Sequence, residues 1–194
     1  MQLNRPIKTR FPSHDRDAGR TETLGTGDFT MDSDSGTVIS QLDSGEMTRP
    51  LQPAFLANIP SNDTNATGDG TTYTIGTNVA YSEIFDVNSD FNTNGTFTAP
   101  VDGKYFFTGV VRMNNVGSSN TNANISIETT NRGYIWQVNV APLETSSGIT
   151  SIHMNCIADL DVSDTATLTV SVSNGSKIVG ILASSTRFSG YLVS

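Results

Sequence analysis

Acid–base and nucleophilic catalysis near neutral pH draw first on histidine and cysteine, and this chain offers only His14, His153 and Cys156. His14 lies in a polar stretch near the start and His153 in an apparent strand. No serine or cysteine nucleophile motif accompanies either one. Cys156, set between Asn155 and Ile157, reads as a small buried hydrophobe. Being the sole cysteine, it also excludes an intrachain disulfide framework. No catalytic residue is therefore assigned, and the expected function is not enzymatic.

Carboxylates are the remaining source of chemistry. Asp32-Ser-Asp34-Ser-Gly36 opens with the spacing of a calcium loop but lacks the downstream bidentate glutamate. Asp159, Asp161 and Asp164 cluster near a turn and are the alternative calcium candidates; the competing reading makes them turn and cap residues. Gly-rich phosphate loops and zinc spacings are absent from the sequence, so no cofactor is expected beyond that calcium possibility.

The elements that would carry these residues are strands. Thr165 to Ser173 alternates strictly, with Ala166, Leu168, Val170 and Val172 on one face and Thr165, Thr167, Thr169 and Ser171 on the other. Asn124 to Thr129 repeats the pattern with Ile125 and Ile127 inward. Asp69-Gly70, Asn94-Gly95, Asp102-Gly103 and Asn174-Gly175 punctuate the runs as turn dipeptides. No dozen-residue window has helical spacing, and the chain reads as all-β. One run differs. Lys104 to Met113 is apolar on both faces: Tyr105 and Phe107 point one way, Phe106 and Val110 the other. A strand of a lone sandwich has one wet face, so a subunit interface is expected over the second.

Composition changes near residue 50. Residues 1–50 hold 12 apolar residues and two of the 15 aromatics, against 57 apolar residues and 13 aromatics in 51–194. The first segment has too little apolar surface to offset its ordering entropy alone. It is expected to be an extended arm, with one small hairpin around Gly27 to Leu42. Arg5, Lys8, Arg10, Arg16 and Arg20 against Asp15 and Asp17 give residues 1–20 a net charge of +3; the other 174 carry six basic and 17 acidic groups, a net of −11. A basic tail on an acidic body commonly docks on an acidic surface. The overall −8 argues against general nucleic-acid binding, and no apolar run suggests a signal peptide or a membrane span. A protein made in a host cytoplasm is expected on that ground. Five Asn-x-Ser/Thr sequons then reflect an Asn/Thr-rich composition rather than glycosylation.

Phe85-Asp-Val-Asn-Ser-Asp-Phe-Asn-Thr-Asn-Gly-Thr-Phe-Thr-Ala-Pro-Val-Asp-Gly-Lys-Tyr-Phe-Phe107 resembles the signature of the complement C1q-like globular domain, in which Gly95, Phe97, Thr98, Ala99, Pro100, Gly103, Tyr105 and Phe107 match. Pro53-Ala-Phe-Leu-Ala57 looks like that family's opening strand, and Phe188-Ser-Gly-Tyr-Leu-Val193 like its closing strand, which runs beside the first. Leu160 to Leu168 is similar to the penultimate segment, with Ser163-Asp164 where the family usually has Gly-Asp. The resemblance implies a jelly-roll β-sandwich of about ten strands, like the tumour necrosis factor fold, over 51–194. It also implies a compact homotrimer around an apolar, aromatic axis. Phe85, Phe97, Tyr105, Phe106, Phe107, Val110, Phe188 and Tyr191 are the residues expected to form its core and trimer contacts.

Neither a secretion signal nor a Gly-x-y stalk stands in residues 1–50. A short arm followed by a trimeric β-head resembles the decoration (cement) and fibre proteins of tailed bacteriophages. The expectation is a structural protein on the virion surface, with residues 1–50 gripping the major capsid protein or another virion protein. The alternative is a tail-fibre or adhesin head that binds cell-surface glycan through polar loops such as Asn114 to Asn122 and Ser61 to Thr72. Neither reading calls for a nucleic-acid or membrane partner.

Overall fold

A computed structural model of the chain describes residues 23–24, 29–33, 36–41, 47–141 and 148–194. The chain divides into two units, Met1–Gln52 and Pro53–Ser194. In the first, β1 (Thr23–Leu24), β2 (Phe29–Ser33), β3 (Gly36–Gln41) and β4 (Met47–Thr48) form an antiparallel meander in that order. The β2–β3 hairpin thus has a strand added on each side, which gives backbone groups there a partner within the segment. Arg5, Lys8, Arg10, Arg16, Arg20, His14 and Asp34 lie outside the described residues.

The second unit is a two-sheet sandwich. Its strands are β5 (Ala54–Asn58), β6 (Asp63–Thr67), β7 (Thr72–Thr74), β8 (Ser82–Asp86), β9 (Phe91–Asn92), β10 (Thr96–Thr98), β11 (Gly103–Asn114), β12 (Asn122–Thr129), β13 (Gly133–Asn139), β14 (Thr150–Leu160), β15 (Thr165–Val172), β16 (Val179–Ile181) and β17 (Arg187–Leu192). One sheet runs β13-β12-β15-β10-β9, with β7 also on β15. The other runs β6-β16-β11-β17-β5-β8, with β14 also paired to β11. Every pairing is antiparallel, and the chain passes between the sheets from β6 to β7, β7 to β8, β8 to β9, β10 to β11, β11 to β12, β13 to β14, β14 to β15 and β15 to β16. That is the connectivity of a jelly roll. The opening and closing strands are neighbours as expected, with Ala54 opposite Tyr191 and Ala57 opposite Phe188.

Aromatic rings fill one half of the core. Phe55 stacks on Phe91 (4.4 Å between centroids) and on Phe97 (5.2 Å), and meets Phe188 edge-on at 5.1 Å. Such pairs contribute about 0.5–1.5 kcal/mol beyond their burial. Space for them comes from glycines at inward positions. A Cβ on Gly190 would run into the Phe107 ring, and one on Gly109 into Leu168 Cδ1. Ala166, Leu168, Val170 and Val172 point into this core as their alternation requires, and so do Ile125 and Ile127. The opposite face of β15 is not simply wet, because Thr169 and Ser171 are buried as well. β15 is a central strand with β12 on one side and β7 and β10 on the other, so its small side chains sit below those of its neighbours.

Loops are pinned by side chains rather than left free. Asn120, fully buried, donates from Nδ2 to the carbonyls of Gly68 (3.1 Å) and Ser173 (3.2 Å) and accepts from the Gly117 amide (2.9 Å). Three loops meet on that one amide. The buried Tyr73 hydroxyl donates to Asp63 Oδ2, and burial together with that carboxylate pushes its pKa up to about 12. Of the anticipated turn dipeptides, Gly70, Gly95 and Asn174 have positive φ, while Gly103 is already the first residue of β11. At the other end, the Leu192 amide donates to the Pro53 carbonyl (3.0 Å) and the Lys104 amide to that of Ser194 (2.8 Å).

Candidate interaction face

β11 is twelve residues long and its burial alternates along its whole length. Tyr105, Phe107, Val111 and Met113 are fully buried, whereas Phe106, Thr108, Val110 and Arg112 are half-buried on the outer side. Strand register then orders the outer face into rows. The first row reads Ile157, Phe106, Tyr191, Ala54 across β14, β11, β17 and β5. The second reads Asn155, Thr108, Ser189, Leu56, Phe85, reaching β8. The third reads His153, Val110, Arg187, Asn58, Ser82, and Arg112 stands opposite Ser151 one step further. The face therefore grades from apolar at one end to cationic at the other.

The apolar end is open to solvent. Ile157 is 57% exposed, Tyr191 49% and Phe85 48%. The Phe106 and Tyr191 rings pack at 5.4 Å between centroids, tilted by 40°. Of the residues the sequence singled out, Phe97, Tyr105, Phe107 and Phe188 lie in the sandwich core, and Phe85, Phe106, Val110 and Tyr191 lie on this face. Two groups emerge from one motif because neighbouring residues of a strand point to opposite sides.

A second apolar surface was not anticipated. β13 and β14 are each an edge strand of their sheet, and between them lies an open cleft of about 520 Å³ lined by Tyr134, Trp136, Val138, Ile152, Met154 and Cys156. Trp136 has the inward parity of Tyr134 and Val138 yet is 60% exposed, on the edge strand of its sheet. The available signal was the uncharged run Gly133–Asn139, with aromatic and aliphatic residues at alternate positions.

The chemistry-bearing residues take ordinary places. His153 is exposed on the outer side of β14, whereas Cys156 faces the cleft, with its pKa pushed up to about 11 by burial. Asp164 Oδ2 accepts from Asn131 Nδ2 (2.7 Å) and from the Asp161 amide (3.0 Å), and Asp102 Oδ1 accepts from the Val162 amide (2.7 Å). These carboxylates brace the turn between β14 and β15. Asp159 stands opposite Lys104. Among the described residues no three His, Cys, Asp or Glu side chains are grouped to hold a metal ion. Ser163 in this turn has φ +75°, the left-handed conformation that glycine adopts without strain. Asp86 accepts from the amides of Asp90 (3.2 Å) and Phe91 (3.0 Å), closing the turn at Asn88 and Ser89, both of positive φ.

No protein-family model and no curated protein sequence matches the chain. Among solved structures, the globular domain of a zebrafish complement 1qA protein is similar at 16% identity, with 74% of this chain and 98% of that chain covered and a TM-score of 0.47. Crystal structures of murine APRIL are similar at 10% identity (pH 8.5; 73% and 99% covered) and at 11% (pH 8.0; 72% and 99%), each with a TM-score of 0.47. The jelly-roll assignment rests on the strand pairings above.

Proposed function

We propose that the second unit is a non-catalytic head that closes into a homotrimer over the outer face of β14-β11-β17-β5-β8. In this reading the protein is a decoration protein of a virus particle, attached to the coat through residues 1–50. The observation that carries the assembly is the packed Phe106–Tyr191 pair, flanked by Ile157 and joined in the next row by Phe85, on the solvent side of a sheet. An exposed contiguous apolar surface of this kind marks an interaction site. A ring of three then places like rows side by side around one axis. The attachment role is supported by the contrast between +3 over residues 1–20 and −11 over the rest.

Sedimentation of the purified chain at micromolar concentration tests the assembly. Three-subunit mass is expected, and a well-folded single subunit would overturn the reading. Attachment is tested by changing Arg5, Lys8, Arg10, Arg16 and Arg20 together to Glu. The variant should still assemble but no longer co-sediment with particles; retained attachment removes the decoration role.

The glycan-binding alternative is favoured by one observation. On the outer side of the other sheet, Gln137, Asn124, Ser171 and Thr72 form a cross-strand row of uncharged polar side chains. Asn124 Oδ1 in this row is itself buried and without a hydrogen-bond partner. Hits on a glycan array that vanish on Asn124→Ala would establish that role; an empty array would dismiss it.

A further inference from the structure

Residues 53–194 carry five Lys or Arg and 11 Asp or Glu, a net of −6. In so acidic a body, cations spread evenly would each have carboxylates nearby. Two of the five, Arg112 and Arg187, instead stand together with His153 at one end of the outer face. His153 and Arg187 flank Val110 from either side, and Arg112 follows two residues along the same strand face. Arg112 Nη1 donates to Ser185 Oγ at 3.4 Å. Among the described residues no carboxylate is paired with any of the three. Their register partners are neutral: Ser151 faces Arg112, Val110 stands between the other two, and Asn58 faces Arg187. Glu83 is two strands away from Arg187, on the edge strand β8 opposite Ala57.

Resting on the trimer reading above, we propose that the cationic end of this face holds a small polyvalent oxyanion of the phosphate or sulfate class on the assembly axis. Rotation about an axis running along the strands leaves each row at its own height. Cationic rows of three copies therefore meet one another and not the apolar rows of the far end. Six guanidinium groups and three imidazoles gather over two neighbouring levels of that axis. Covering such charges without a counter-charge is strongly unfavourable. The planar guanidinium fork matches two oxygens of a tetrahedral oxyanion, and several forks can share one ion. A multivalent anion bound only by the assembled state shifts assembly by mass action. Chloride, a single point charge, offers no such geometry.

The experiment uses the full chain with inorganic phosphate as the probe, against chloride at equal ionic strength and pH. Sedimentation across a dilution series reads the association constant in each buffer. About a tenfold increase in phosphate is expected. Arg112→Gln and Arg187→Gln each remove an uncompensated charge from the covered face, so they should assemble in chloride at least as tightly as wild type and lose the phosphate response. An assembled wild type indifferent to phosphate overturns the anion site alone, as do variants that keep the full response. A chain that is monomeric in both buffers removes the trimer and the anion site together.

Discussion

The ring of Phe106 packs against that of Tyr191 on the solvent side of the same sheet whose inner side buries Tyr105 and Phe107. Changing both outer rings to serine takes nothing from the sandwich core. Phe106→Ser with Tyr191→Ser should keep the circular dichroism of the folded head while shifting the sedimenting species toward single subunits. A double variant that assembles as well as wild type would show that the contact lies elsewhere.

Phe55 is the hub of the inner aromatic cluster, meeting Phe91, Phe97, Phe107 and Phe188. Its truncation removes a buried ring and leaves a cavity that four packed rings cannot readily fill. Phe55→Ala should cost about 3–5 kcal/mol in a denaturant titration. A loss below about 1 kcal/mol would mean that the cluster collapses onto the gap.

Ser163 occupies a left-handed backbone position with φ +75°. That strain is of order 1 kcal/mol for a residue with a Cβ. Glycine removes it but gives the unfolded chain more freedom, so Ser163→Gly should stabilise by less than about 1 kcal/mol. A lower melting temperature would mean that the serine side chain has a role of its own.

Asp90 Oδ2 is buried with no hydrogen-bond partner, and burial, then the neighbouring Asp86 charge, hold this carboxyl above the usual carboxylate range. A folded-state pKa above the unfolded one means that the folded protein holds the proton more tightly. This group's contribution is thus fully present below the unfolded pKa and lost as pH rises through the folded one. Asp90→Asn should raise the melting temperature at pH 7 and remove the part of its decline that comes as pH rises through the folded pKa. An unchanged pH profile would show that Asp90 is hydrated in solution.

Cys156 faces the β13–β14 cleft with its pKa near 11. Only the thiolate attacks disulfide reagents. Labelling at pH 8 should be slow, rising about tenfold per pH unit up to that value. Rapid labelling at pH 8 would mean that the cleft opens widely on the timescale of the reaction.

Period-two patterning made β15 and β12 readable, because alternation is local information. The split of Tyr105 and Phe107 from Phe106 and Val110 was readable for the same reason. What alternation cannot give is the strand order. Trp136 has inward parity, and only the edge position of β13 beside an equally free β14 leaves it exposed. The burial of Thr169 and Ser171 likewise follows from β15 being central, a fact of pairing between distant segments. Arg112, Arg187 and His153 lie up to 75 residues apart in the chain and become neighbours only through the register of β14, β11 and β17.

The hydrogen bond from the Leu192 amide to the Pro53 carbonyl brings the backbone into the head and out of it at a single pole. A passenger domain fused after Ser194 would emerge beside Pro53, where the backbone enters the head. Epitopes meant for display belong at the far pole, in the turn between β11 and β12. There the Asn120 clamp holds the loop's base while Ser118 and Ser119 stay exposed and replaceable.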